Sequence, residues 1–258
     1  MFMNYGISTA CLYPLKTEDA FLFLAQNGVK DIEIFFNSIS ELNDGFLNRI
    51  LKIKEKYNVN IPAVHPFSSF AETYMLFSQY KRRFEDTFEY YKNYYKAAKI
   101  LGARFVSLHG HKVNGDLDIN TYAQRYKKMF LTAKEYGVTL NQENVVNHTS
   151  GELENLLILK DLLKENFSVT FDIKQCIRAK QDVFECIKKL GGLISHIHIS
   201  DNNENNDCML IGEGNFDFKK FVEELNNINY MGKLVLEVYR NAYKNPVNLV
   251  ENYKKYSH

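Results

Sequence analysis

No tryptophan occurs in this 258-residue chain, and only four prolines and four cysteines do. Cys11, Cys176, Cys186 and Cys208 are scattered without a CxxC pair, so neither a zinc-thiolate knuckle nor a disulfide framework is suggested, and reduced thiols are expected. Net charge is missing too. The 32 basic and 31 acidic side chains leave +1, so no overall field draws the protein to a polyanion, and nucleic acid is not an expected partner. No segment approaches roughly eighteen uninterrupted apolar residues, and Met1 to Leu15 has no basic stretch ahead of an apolar run. The expectation is a cytoplasmic protein without a membrane partner. Low-complexity tracts and Pro/Gly/Ser-rich linkers are also absent, so residues 1–258 are expected to form a single domain.

What is present is ordinary for a globular protein: 45% hydrophobic and 24% charged residues. Seventeen Tyr and nineteen Phe predict an aromatic core in which many Tyr rings are half-buried with a wet hydroxyl. Short β-branched or aromatic runs alternate with amphipathic helical stretches, the pattern of βα units on a parallel sheet. Strands are predicted at Tyr5–Ser8, Asp31–Phe35, Ile61–His65, Phe105–His109, Thr139–Gln142, Val169–Asp172, His196–Ser200 and Leu234–Val238. Helices are predicted near Thr17–Asn27, Asp44–Tyr57, Tyr80–Leu101, Ile119–Tyr136, Gly151–Glu165, Asp182–Leu190, Asp217–Asn227 and Pro246–Tyr256. Thr17 and Asp217 are suited to cap helices, and Gly28, Gly102, Gly137 and Gly232 fall where a left-handed residue ends one. Eight units in this length predict a single closed (β/α)₈ barrel, an α/β fold.

Polar residues recur at one end of the predicted strands: Glu33, His65, His109, Glu143, Asp172, His198 and Glu237. Closure would gather them on the C-terminal face, where barrels of this kind build their active sites. Taken singly, each reads as readily as a barrel-mouth residue bonded to a carbonyl or a neighbouring cation. Four acids and three histidines in register are costly to assemble unless something positive is bound among them.

The runs Val64-His65-Pro66, Ser107-Leu108-His109-Gly110, Asn141-Gln142-Glu143-Asn144, Thr170-Phe171-Asp172, His196-Ile197-His198-Ile199-Ser200-Asp201, Ile211-Gly212-Glu213-Gly214-Asn215-Phe216-Asp217 and Leu236-Glu237 resemble the xylose isomerase-like TIM barrels, the superfamily of sugar phosphate isomerases and epimerases. The resemblance covers nearly the whole chain and lies in the order and spacing of the motifs. It implies that Glu143, Asp172, His198 and Glu237 ligate one divalent metal ion, Mn²⁺ first, with Mg²⁺, Co²⁺ or Zn²⁺ as alternatives. Glu33, His65 and His109 would then position substrate or stand behind the ligands.

Many relatives place a histidine three residues after the ligand Asp, where this chain has Gln175. Gln175 can donate a hydrogen bond to a substrate hydroxyl but cannot titrate near neutrality. Lys174 can orient a substrate oxyanion if it points into the mouth, although a solvated loop lysine is the expectation. The Gly212-Glu213-Gly214 run lacks a third glycine and a strand directly before it, so it reads as a tight loop before the seventh helix, not as a phosphate cradle.

The implied activity is isomerisation or epimerisation of a sugar or sugar derivative by proton abstraction alpha to a carbonyl, with Glu143 and Glu237 as base and conjugate acid. The alternatives are an endonuclease IV-like phosphodiesterase, which needs more metal ligands, a dehydratase on the same barrel, and a sugar-binding barrel without turnover. The expected partner is a small-molecule sugar, and barrels of this sort often pair as homodimers.

Overall fold

The computed structural model describes residues 5–113 and 115–257. Among these, eight parallel strands close into a barrel in chain order. They are β1 Tyr5–Ser8, β2 Ile32–Phe35, β3 Ala63–His65, β4 Phe105–Leu108, β5 Thr139–Glu143, β6 Val169–Asp172, β7 Ile194–Ile199 and β8 Leu234–Leu236. Closure is made by β1 against β8, with Tyr5 beside Leu234 and Ile7 beside Leu236. The chain is a (β/α)₈ barrel, as its pattern predicts.

The α-helices are α1 Thr17–Gln26, α2 Asp44–Tyr57, α3 Glu72–Met75, α4 Lys81–Leu101, α5 Ile119–Glu135, α6 Leu153–Leu163, α7 Ile173–Arg178, α8 Val183–Leu190, α9 Phe218–Asn227 and α10 Pro246–Tyr256. The two short ones, α3 and α7, are not predicted by the apolar pattern, because neither is long enough to show a helical period. α7 begins directly at the end of β6: Asp172 is its N-cap and accepts the Gln175 N–H at 2.9 Å.

Asp217 caps α9 as expected, accepting from Lys220 N. Thr17 does not cap α1. It is the first helical residue, and its hydroxyl donates to Phe35 O and accepts from Asn37 Nδ2. Gly28, Gly102 and Gly137 take positive φ at helix ends. Gly232 does not, because the left-handed position after α9 falls on Asn229, at φ 54°.

The core is aromatic, but its tyrosines lie deeper than composition suggests. Tyr5, Tyr91, Tyr94, Tyr95, Tyr122 and Tyr126 are fully buried. Most reach an internal partner in place of water: Tyr126 Oη donates to Leu140 O at 2.8 Å and Tyr5 Oη to Asn252 Oδ1 at 3.1 Å. Ser68 is part of this packing, its hydroxyl 3.1 Å from Tyr94 Oη. All four cysteines are free and buried, and no helix among the described residues is long and apolar enough to cross a membrane.

The long connection from β7 to α9 is folded around one side chain. Asp201 accepts four backbone N–H groups, from Asn202 (2.8 Å), Gly212 (2.8 Å), Gly214 (3.0 Å) and Phe216 (3.1 Å). A Cβ on Gly214 would lie 2.4 Å from Asp201 Oδ1 and 2.3 Å from Asn202 O, so the loop needs glycine there. The Gly-Glu-Gly run is thus the tight loop its sequence suggests. Replacing Asp201 by Ala removes the acceptor of four part-buried N–H groups and is expected to lower the unfolding free energy by about 1–3 kcal/mol. Urea denaturation measures this, and a loss well under about 1 kcal/mol would show that the carboxylate does not organise the loop.

Candidate active site

Side chains two apart on a strand point the same way, and in this barrel that rule stacks two polar layers. Ser107, Asn141 and Thr170 form the lower one: Asn141 Nδ2 donates to Thr170 Oγ1 at 3.2 Å, and the Ser107 and Thr170 hydroxyls are 3.1 Å apart. Two residues further along lie His109, Glu143 and Asp172, at or just past the strand ends. His198 on β7 and Glu237, one residue past β8, join them. One donor atom from each of Glu143, Asp172, His198 and Glu237 lies within 4.8 Å of all the others.

His198 sits at the centre of this group. Its Nδ1 is 3.5 Å from Glu143 Oε1, 3.6 Å from Glu237 Oε2 and 3.7 Å from Asp172 Oδ2. None is close enough for a good hydrogen bond, and this buried nitrogen has no partner among the described residues. The other ring nitrogen, Nε2, donates to Glu33 Oε2 at 3.1 Å, and the same oxygen accepts from His196 Nε2 at 2.8 Å. That bond fixes the ring so that Nδ1 faces three carboxylate oxygens. Burial alone would lower the pKa of His198, but the Glu33 and Glu237 carboxylates carry it well above the usual histidine range. Three oxygens and an unpartnered imidazole nitrogen form a donor set that fits a divalent cation.

Glu143 divides its two oxygens. Oε1 faces His198, while Oε2 is 3.1 Å from His65 Nε2 and 3.2 Å from His109 Nε2. Burial works against its charge, but His109 first, with His198 and His65, holds it well below the usual carboxylate range. Burial likewise opposes charging His65, yet the Glu143 bond raises its pKa to about 9. The His65 ring stacks on Phe35 at 4.7 Å. Just beyond His109 the chain turns at Gly110, with φ 85°, where a Cβ would meet Tyr122 Oη at 2.3 Å.

Lys174 departs from expectation. It is buried, its Nζ donating to Asp172 Oδ2 at 2.8 Å and Glu237 Oε2 at 3.1 Å. The solvated lysine assumed an irregular loop after β6. Instead α7 starts there and turns the side chain inward. Gln175 accepts from Val146 N at 3.2 Å through its side-chain carbonyl. Both residues line a cavity of about 360 Å³, together with His65, His109, Glu143 and Glu237. Its remaining wall includes Tyr13, Phe35, Asn37, Tyr239 and Arg240. Asp172 and His198 are not among the lining residues and lie beneath it.

A family model described as the xylose isomerase-like TIM barrel matches residues 21–255. The chain belongs to that family. Among its relatives is an uncharacterized protein of Methanocaldococcus jannaschii, 27% identical over 250 residues, covering 91% of this chain and 83% of that protein. An inosose dehydratase of Clostridium perfringens is 23% identical over 212 residues, covering 67% of this chain and 70% of the enzyme. Among solved structures, a D-tagatose 3-epimerase-like protein superposes with a TM-score of 0.80 at 24% identity, covering 98% of this chain and 97% of that one. At that identity the likeness shows the fold.

Within this xylose isomerase-like barrel, two buried polar residues near the mouth were not singled out from sequence. His196 left a signal, since the His-Ile-His run on a strand puts both imidazoles on one face. Glu72 left none, because α3 is too short to predict. Glu72 accepts the Gly110 N–H at 2.6 Å and the Tyr91 hydroxyl, bracing the turn behind His109. Burial raises its pKa above the ordinary 4.5, with His109 opposing. The folded chain therefore holds this proton to higher pH than the unfolded chain does. The stability it contributes is present below pH 4.5 and is lost as pH rises through the folded value. Glu72→Gln mimics the protonated form, so the stability of wild type relative to this variant should fall as pH is raised from about 4 towards neutral. Paired urea titrations across that range test it, and a relative gain by wild type would reverse the argument.

Proposed function

We propose that the protein is a divalent-metal-dependent isomerase or epimerase acting on a small sugar or sugar derivative, by moving a proton on the carbon next to a carbonyl. The observation that carries this reading is the convergence of Glu143, Asp172, His198 and Glu237 beneath a cavity of about 360 Å³. That volume is at the lower end of small-molecule sites, roughly 300–1,000 Å³, and suits a compact substrate. One similar structure is named a D-tagatose 3-epimerase-like protein, in line with the class, whereas a relative named inosose dehydratase belongs to the alternative that loses water.

Those four residues would hold one ion, Mn²⁺ first, with Mg²⁺, Co²⁺ and Zn²⁺ as competitors. When bound, the ion supplies positive charge against the negative charge that develops on oxygen as a proton leaves the adjacent carbon. Glu33 and His196 keep the His198 ring oriented. Glu143 and Glu237 both border the cavity, so either can take the proton at a carboxylate oxygen and the other can return it. His65 and His109 hold the Glu143 oxygen that faces away from His198. Gln175 and the aromatic wall of Tyr13, Phe35 and Tyr239 orient a sugar and exclude water. Loss of water beta to a carbonyl begins with the same proton removal, so a dehydratase stays within the proposal's chemistry.

The phosphodiesterase alternative draws on a second trio, His65, His109 and Glu143, whose donor atoms also lie within 4.8 Å of one another. Incubation in D₂O with ketoses, aldoses, keto-inositols and hydroxypyruvate separates the readings. Deuterium should enter the carbon alpha to the carbonyl of at least one compound. Glu143→Gln and Glu237→Gln should each reduce that rate by about 10²–10⁴-fold with the barrel still folded. Cleavage of abasic DNA with no exchange on any compound would sink the isomerase reading.

A further inference from the structure

Lys174 is buried against the same two oxygens that the proposed metal site needs. Asp172 Oδ2 is 2.8 Å from Lys174 Nζ and 3.7 Å from His198 Nδ1. Glu237 Oε2 is 3.1 Å from Nζ and 3.6 Å from the same ring nitrogen. Asp172 has no free second oxygen to offer, because its Oδ1 caps α7 through Gln175 N at 2.9 Å. The lysine is itself held. It lies on that capped turn, and its ammonium sits 5.3 Å from the centre of the Tyr239 ring.

We infer that Lys174 is a tethered counter-cation of the metal site, an ammonium that pairs with two of the four ligands, keeps them gathered when no metal is bound and weakens their hold on a divalent ion. The inference rests on the proposed metal-dependent reading. Glu143 keeps His65 and His109 without the lysine, but Asp172 and Glu237 lose the ammonium they share and repel each other more strongly until a cation arrives. An ammonium on two shared oxygens opposes metal in two ways, by like-charge repulsion and by occupying lone pairs. It also closes the side of the site next to the cavity with a fixed positive charge, so Lys174 acts through the ligands as a positioning residue.

The test is metal binding, not turnover. Full-length wild type, Lys174→Met and Lys174→Arg are stripped with chelator and titrated with Mn²⁺ and Co²⁺ by calorimetry. Lys174→Met should tighten Kd by about ten- to a hundredfold. Lys174→Arg, which keeps the charge, should stay close to wild type. In parallel, the metal-free Met variant should melt below metal-free wild type, and metal should raise its Tm by the larger margin. Equal or weaker binding by Lys174→Met overturns the inference alone, whereas no binding by any of the proteins overturns the metal-dependent reading itself. Should the Met variant fail to fold, the side-chain ammonium of wild-type Lys174 is followed by ¹H–¹⁵N NMR and assigned by its absence in Lys174→Arg. Zn²⁺ should shift that signal, and a signal indifferent to saturating Zn²⁺ refutes the inference.

Discussion

Four carboxylates, those of Glu33, Glu143, Asp172 and Glu237, are gathered at one end of a closed barrel, three of them almost wholly buried. Removing one charged carboxylate from water costs several kcal/mol unless an opposite charge and hydrogen bonds replace the water. The surroundings answer that demand acid by acid. Glu33 takes His196 and His198, Glu143 takes His65 and His109, and Asp172 and Glu237 share Lys174. The imidazoles and the lysine are therefore conditions for folding this mouth as well as parts of its chemistry. His198 Nδ1 has no hydrogen-bond partner among the described residues, and it faces the carboxylates of Glu143, Asp172 and Glu237.

The barrel makes such a gathering possible because register, not sequence distance, decides who meets. Phe35 lies beside His65 across β2 and β3, and Asp172 beside His198 across β6 and β7. The pairing of β7 with β8 sets His198 beside Val235 and Ile199 beside Leu236, which delivers Glu237 one step past the strand end. A one-residue slip in any strand would turn its polar residues out of the barrel and put apolar ones in their place. The lower polar layer of Ser107, Asn141 and Thr170 resists that slip, since its hydrogen bonds cross β4, β5 and β6 only in this register.

This dependence on register explains how far the sequence could be read. All eight strands were visible as short apolar runs, with edges moved by a residue or two. Glu143, Asp172, His198 and Glu237 were visible because each stands at the end of such a run. Lys174 was misjudged for a different reason. A six-residue helix such as α7 shows no period, so nothing in the sequence told that residue 174 turns inward while Arg178 reaches outward. The cavity wall of Tyr13, Asn37, Tyr239 and Arg240 was hidden for the same cause, since loop residues declare no face. Tyr burial was underestimated because composition cannot say which hydroxyls will find a carbonyl or carboxylate inside.

α7 also joins the ligands to the cavity wall mechanically. Its cap is Asp172, its first turn carries Lys174 and Gln175, and Arg178 closes it. Arg178 grips Asp207 with two hydrogen bonds, at 2.6 and 2.8 Å, and donates to Tyr239 Oη at 2.7 Å. Gln175 ties the same turn to the loop after β5 through Val146 N. The loops following β5, β7 and β8 are thereby fastened to one short helix whose N-terminus is held by a proposed metal ligand. A shift of Asp172 by a few tenths of an ångström cannot stay local. It moves the cap, the lysine beside Glu237 and the tyrosine that walls the cavity together, so the geometry of the donor set and the shape of the space above it are set by the same few contacts.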